Sequence, residues 1–225
     1  MPTTSSLRVA VICSSIAKVI TQVNRRVRFT VSDIVNSFFC SKQGFHVKSY
    51  GTGDKVKLPG PAPDKPNCYE FGITYDEIYQ DLLAKDKTLY PFQQDLKYEF
   101  NTEHCFSTPN GLLHMLDRNK RIKPRPERFQ AARDKFDILV TCEERVYDQV
   151  IEALESRTPT DNSSVHVINI DIQDNHEEAT LGAFLICELM TLLSESDDLD
   201  NDIDELLHDF ELKCERPILH CVLFY

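Results

Sequence analysis

Leu7 to Ser15 reads LRVAVICSS, and a segment of this kind leaves few folds open. Val9, Val11 and Ile12 are β-branched, the run is short, and polar residues bound it. That pattern predicts a buried strand, of the parallel type that is covered on both faces. A cysteine, Cys13, stands where the strand runs out, followed by the small hydroxyl residues Ser14 and Ser15. In open α/β sheets ligands bind at the carboxyl ends of the strands. A thiol there, above backbone N–H groups that lead into a helix, would be an acidified nucleophile facing an anion site. Equally, Cys13 could be a small core residue, because free cysteine is among the most buried residue types.

Further along, Phe45 to Gly53 alternates and then turns at glycine, as a second strand would. Lys55 to Pro66 carries Pro59, Pro61, Pro63 and Pro66, which predicts a stiff extended loop, either a substrate wall or a plain surface connection. Tyr75 to Asp86 and Gly111 to Ile122 are amphipathic and helical. Asp137 to Cys142 and Val165 to Ile172 read as strands three and four, and Glu143 to Arg157 as a helix. Glu177 to Leu193 opens with acids and is apolar nearly all round, which predicts a buried helix. Ile203, Leu206, Leu207 and Phe210 keep helical spacing inside the acidic stretch 195–215, and Ile218 to Tyr225 is a terminal strand candidate. Alternating strands and helices predict an α/β fold, three-layered and doubly wound, with a mainly parallel sheet flanked by helices.

Composition narrows the function. The chain of 225 residues suits one elaborated domain over 1–225. A net charge of −11 argues against direct nucleic-acid binding by the whole surface. Met1 to Ser6 lacks the basic and apolar regions of a secretory signal, and no apolar run is long enough for a membrane span. The eight cysteines form no CxxC pair and read as reduced thiols, with no metal site among them. Arg118 to Arg133 is a basic block, either a lure for an acidic or phosphorylated partner or a solvated helix face. At the end of the fourth strand stands DIQDNHEE, where Asp171 and Asp174 would share a rim with Cys13. A carboxyl group there could protonate a departing oxygen. It could also simply cap the helix that follows.

Several stretches carry a resemblance: LRVAVICSS (7–15), SKQGFHVKSYGTGDKVKLPGPAPDKPNCYEF (41–71), HMLDRNKRIKPRPERF (114–129), FDILVTCEERVYDQVIE (136–152) and NIDIQDNHEEATLGAF (169–184). The chain resembles the phosphatases that act on the C-terminal heptad repeat of RNA polymerase II, a family related structurally to the low-molecular-weight tyrosine phosphatases. The resemblance implies a phosphocysteine intermediate on Cys13, Asp174 as general acid and Asp171 beside it, with Ser14 and Ser15 supporting. It implies a substrate phosphoserine at the fifth heptad position next to a proline held in cis, and a groove to which Lys57, Leu58 and Pro59 contribute. It further implies no cofactor or metal, a nuclear location, and partners in messenger RNA cleavage and polyadenylation, including a helical scaffold protein.

Two blocks depart from the family pattern. The family places an arginine six positions after its cysteine, where this chain has Val19, and residues 16–40 are longer than the family's connection. Arg25, Arg26 and Arg28 follow within that block. Residues 91–109 form a second foreign block, and the pair have the edges expected of translated intron or alternative exon sequence. These departures set an alternative beside the phosphatase: a catalytically impaired scaffold or binding member of the same complex.

Overall fold

The structure is a computed structural model that describes residues 7–14, 46–62, 64–85, 110–173 and 176–225. The blocks 16–40 and 91–109, together with Ser15 and Asp174, lie outside the described residues.

Period-two alternation builds the central sheet. In β1 (Arg8–Cys13), Val9 and Val11 enter one core while Ala10 and Ile12 enter another. Successive strand side chains point to opposite faces, so a strand apolar at every position needs cover on both sides. The same split recurs in β5 (Ile138–Thr141) and β6 (Ser164–Ile170). The remaining sheet strands are β2 (His46–Gly51) and β7 (Ile218–Phe224). The order is β2-β1-β5-β6-β7, parallel throughout except for β7, which runs antiparallel at one edge.

Helices cover both faces. Val146, Tyr147, Val150 and Leu154 of α3 (Glu144–Glu155) pack on one side, beside Phe129 from the 3-10 turn Phe129–Ala131. Helices α4 (His176–Ser194) and α5 (Leu199–Cys214) pack on the other. The three-layered, doubly wound expectation is met. The expectation for α4 needs correction: Leu181 and Phe184 are more than half exposed. A helix in an outer layer has one side against the sheet, and an all-apolar sequence cannot alter that geometry.

The proline-rich stretch is also corrected. It forms a two-stranded antiparallel ribbon, β3 (Val56–Ala62) with β4 (Lys65–Tyr69), instead of a loop. A ribbon has unpaired outer edges, so prolines missing an N–H are tolerated there. The register shifts between Leu58 and Ala62, where Gly60 lets the strands close up. A Cβ on Gly60 would stand 1.8 Å from the Lys65 carbonyl oxygen. The ribbon's inner face meets α1 (Tyr75–Lys85) and α2 (Asn110–Ile122) in a third core of Val56, Leu58, Ile78, Leu82 and Leu116. Thr74 and Glu77 cap α1 reciprocally: Thr74 Oγ1 accepts from the Glu77 N–H at 3.1 Å, and Glu77 Oε2 accepts from the Thr74 N–H at 2.7 Å.

Candidate active site

Strand order reverses between β1 and β5: the chain goes outward from β1 to β2, then returns to β1's other side for β5. Such a switch point opens a crevice at the carboxyl ends of the strands. Cys13 ends β1 at that point, in register with Gly51 of β2 and next to the Ile12–Thr141 pair. Its side chain is partly exposed, and its Sγ lies 3.8 Å from the Tyr50 carbonyl oxygen. The strand β1 is held along its length, so the thiol's position is fixed by the sheet.

The rim is tied together by polar contacts from distant parts of the chain. The Thr52 N–H donates to the Cys13 carbonyl at 3.1 Å, which brings the root of the β3–β4 ribbon against the strand that carries Cys13. Ser14 is buried and donates to Glu143 Oε1 at 2.7 Å. Glu143 precedes α3, and Asp171 Oδ1 accepts from the N–H of Glu144 in that helix's first turn at 3.0 Å. A carboxylate at the positive end of a helix is electrostatically favoured. Asn169, buried at the end of β6, donates to the same Asp171 oxygen at 3.0 Å and accepts from Thr141 Oγ1 at 2.8 Å. The segments carrying Cys13 and Asp171 thus converge on the start of α3. Gly182 of α4 fits under the same rim, since a Cβ there would press within 2.3 Å of the Ile172 side chain.

Cys142 lies close by and is buried, where Cys13 is partly exposed. Burial, and after it electrostatic coupling to Cys13, Glu143 and Asp171, raises the Cys142 pKa far above that of a free cysteine and keeps it protonated. Among the described residues, Cys13, Cys68, Cys142, Cys187, Cys214 and Cys221 are free thiols, and no group of three or more His, Cys, Asp or Glu is arranged to hold a metal ion.

Of the residues expected at the site, Cys13, Ser14 and Asp171 meet at the rim, while Ser15 and Asp174 lie outside the described residues. Lys57 is exposed on the ribbon. Leu58 corrects the expectation: at 1% exposure its side chain belongs to the third core and cannot line a groove. Pro59 lies in β3. Glu143, Thr52 and Asn169 escaped the sequence reading; Glu143 had one signal, its place just past the third strand. The basic block is largely neutralised. Lys120 pairs with Asp76 and Asp117, Arg121 with Asp117, Lys123 with Glu127, and Arg128 with Asp54.

Residues 7–225 match the Ssu72 family, described as Ssu72-like protein. The chain belongs to the Ssu72 family. It is 56% identical over 221 residues to the human RNA polymerase II C-terminal domain phosphatase SSU72, covering 98% of both chains. The Caenorhabditis elegans relative, C-terminal domain phosphatase ssup-72, is 45% identical over 227 residues with full coverage of both. Among solved structures, the Drosophila melanogaster Ssu72 serine phosphatase superposes with a TM-score of 0.79 at 50% identity, covering 98% of this chain and all of that one. A D. melanogaster Ssu72 and symplekin complex, bound to a cis peptidomimetic CTD phospho-Ser5 peptide, gives 0.77 at 49% identity with the same coverage. Both departing blocks fall inside the span that matches Ssu72. Nothing in these likenesses supports an impaired scaffold, since the relatives are named phosphatases.

Proposed function

We propose that this chain is a phosphoprotein phosphatase that removes phosphate from phosphoserine at the fifth position of the RNA polymerase II C-terminal heptad, and that residues 1–225 act as one domain. The observation that carries this reading is Cys13 at the carboxyl end of β1, at the strand-order reversal, in a chain matching Ssu72 almost end to end. The Cys13 thiolate attacks phosphorus, and the bond from phosphorus to the serine oxygen breaks. Asp174 gives its proton to that departing oxygen. Water then attacks the phosphorus of the phosphocysteine and gives a proton to Asp174, the phosphorus–sulfur bond breaks to return the Cys13 thiolate, and inorganic phosphate leaves. Asp171, docked on the start of α3, holds the segment just past β6, three positions before Asp174 in sequence.

Lys57, and Leu58 and Pro59 through their backbone, form one wall of the peptide groove, where a proline in cis follows the phosphoserine. The ribbon's root against Cys13 supports that placement. The symplekin complex of the Drosophila relative supports a helical scaffold partner, work in messenger RNA 3′-end processing and a nuclear location. The test is hydrolysis of a phosphoserine heptad peptide by the full chain. Cys13→Ser should abolish it, and Asp174→Asn should keep the fold and slow turnover by roughly 10²–10⁴-fold. A parent chain no faster than Cys13→Ser overturns the reading.

A further inference from the structure

A cleft of about 460 Å³ lies between the 3-10 turn and the end of α3, lined by Gln130, Arg133, Ala153, Ser156, Arg157 and Thr158. Its lining holds two guanidiniums, two hydroxyls and an amide, and no carboxylate. The chain is strongly acidic, and Arg8, Arg121, Arg128 and Arg216 each pair with a carboxylate. Among the described residues, Arg133 and Arg157 have no such partner.

Arg157 is also held in place. Its Nη2 donates to the Phe129 carbonyl at 2.9 Å, and its guanidinium stands 5.0 Å from the Phe129 ring centroid. Burial lowers its pKa, Tyr225 opposes that in part, and the neighbouring Arg133 charge lowers it further, so an anion between the two arginines would relieve their repulsion. Gln130 donates from Nε2 to the Thr52 carbonyl at 3.0 Å, while its Oε1 is buried without a partner. An occupant that satisfies the lining supplies negative charge to two arginines and an acceptor to the Thr158 hydroxyl. A phosphorylated peptide offers both, through its phosphate and carbonyl oxygens. A nucleic acid is a far denser polyanion than a phosphopeptide, and the protein's net charge of −11 repels it more strongly. The carboxyl end of α3 opposes an anion with about half an elementary charge, against two full cations.

We infer that this cleft is a second phosphate-binding site, which takes one phosphoserine of a repeated peptide while another occupies Cys13. The inference rests on the proposed phosphatase reading. Gln130 joins the two places: it bonds the Thr52 carbonyl, and the Thr52 N–H bonds the Cys13 carbonyl. A repeated phosphopeptide held at a second point gains affinity through effective concentration, without any change in the chemical step.

Fluorescence anisotropy with the full chain, at physiological salt, tests this with a labelled two-repeat heptad peptide carrying two phosphoserines. Arg133→Glu should weaken its binding by roughly tenfold or more, the scale of one lost charge-assisted contact. A one-repeat, singly phosphorylated peptide should bind both proteins alike. Arg157→Gln should repeat the effect; should it fail to fold, the exposed Arg133 still decides. Equal binding of the two-repeat peptide by parent and Arg133→Glu overturns the inference. So does an equal loss for an RNA oligonucleotide of matched charge, which would mark a general basic surface. A melting-temperature rise with inorganic phosphate that Arg133→Glu removes, with peptide binding unmoved, assigns the cleft to free phosphate and also overturns it. Binding that depends on Arg133 in a chain without hydrolysis would leave the cleft standing and sink the enzymatic reading instead.

Discussion

Lys57 and Leu58 are adjacent in β3 and have opposite environments. The strand's period of two sends Leu58 into the third core with Val56, Ile78 and Leu82, and leaves Lys57 in solvent. Leu58→Ala removes buried methyl groups from a packed site and should cost about 2–5 kcal/mol. In a chain of this size that lowers the melting temperature by several degrees. Lys57→Ala should leave the melt unchanged within about 0.5 kcal/mol and raise KM for the heptad peptide with kcat nearly constant. Thermal melts and steady-state kinetics on both variants check the pair. A raised KM for Leu58→Ala with a parental melt would show that its side chain reaches substrate after all.

At the scale of elements, α5 is fastened to the sheet by a polar seam. Asp200 Oδ1 lies 2.9 Å from His166 Nε2, and His166 Nδ1 lies 3.2 Å from His220 Nε2. The two rings stack at 5.4 Å, and His220 Nδ1 faces Asp204 at 3.3 Å. Two groups of α5 and one from each of β6 and β7 thus share the seam, with Asp137 near His166 and Ser164 bonded to Asp200. Burial lowers the His220 pKa and the adjacent His166 lowers it further, while Asp204 partly opposes them. The unfolded chain therefore takes up a proton at His220 at higher pH than the folded one does. Stability should be fully expressed above about pH 6.5, the ordinary histidine value, and fall as pH drops through it toward the folded value. Melts between pH 8 and 5 should show this slope, and His220→Gln should flatten it. An identical slope in the variant would assign the acid sensitivity to other groups.

Across the described residues, contacts between segments far apart in sequence hold the layers on the sheet. Tyr225 is the clearest of these. Its ring lies in the α3-side core, its hydroxyl accepts from the buried Phe136 N–H at 3.1 Å, and its backbone N–H donates to the Ser163 carbonyl at 3.0 Å. The last residue of the chain thereby fixes the entrance to β5, the strand beside β1. Tyr225→Phe keeps the ring and leaves the Phe136 N–H without its acceptor, which should cost about 1–3 kcal/mol. Tyr225→Ala also opens a cavity and should cost more, about 3–5 kcal/mol. Denaturant titrations of the two variants measure the difference; equal losses would mean that the hydroxyl, not the ring, carries the residue's contribution.

The residues by themselves set the elements. Strands β1, β5 and β6 and helices α3 and α5 fall close to where periodicity puts them, because side-chain spacing along a strand or helix is a local property. The position of Cys13 at a strand's carboxyl end was equally legible, since it depends only on where an apolar run stops. What surrounds Cys13 was decided elsewhere. Ser14 meets Glu143 across 129 positions, Thr52 reaches the Cys13 carbonyl from beyond β2, and Asp171 docks on a helix that begins 27 positions earlier. The proline-rich ribbon, the burial of Leu58 and the exposed face of α4 have the same origin. Each depends on strand order, register and the number of layers, which are fixed by packing between segments far apart in the chain and leave no period in the sequence.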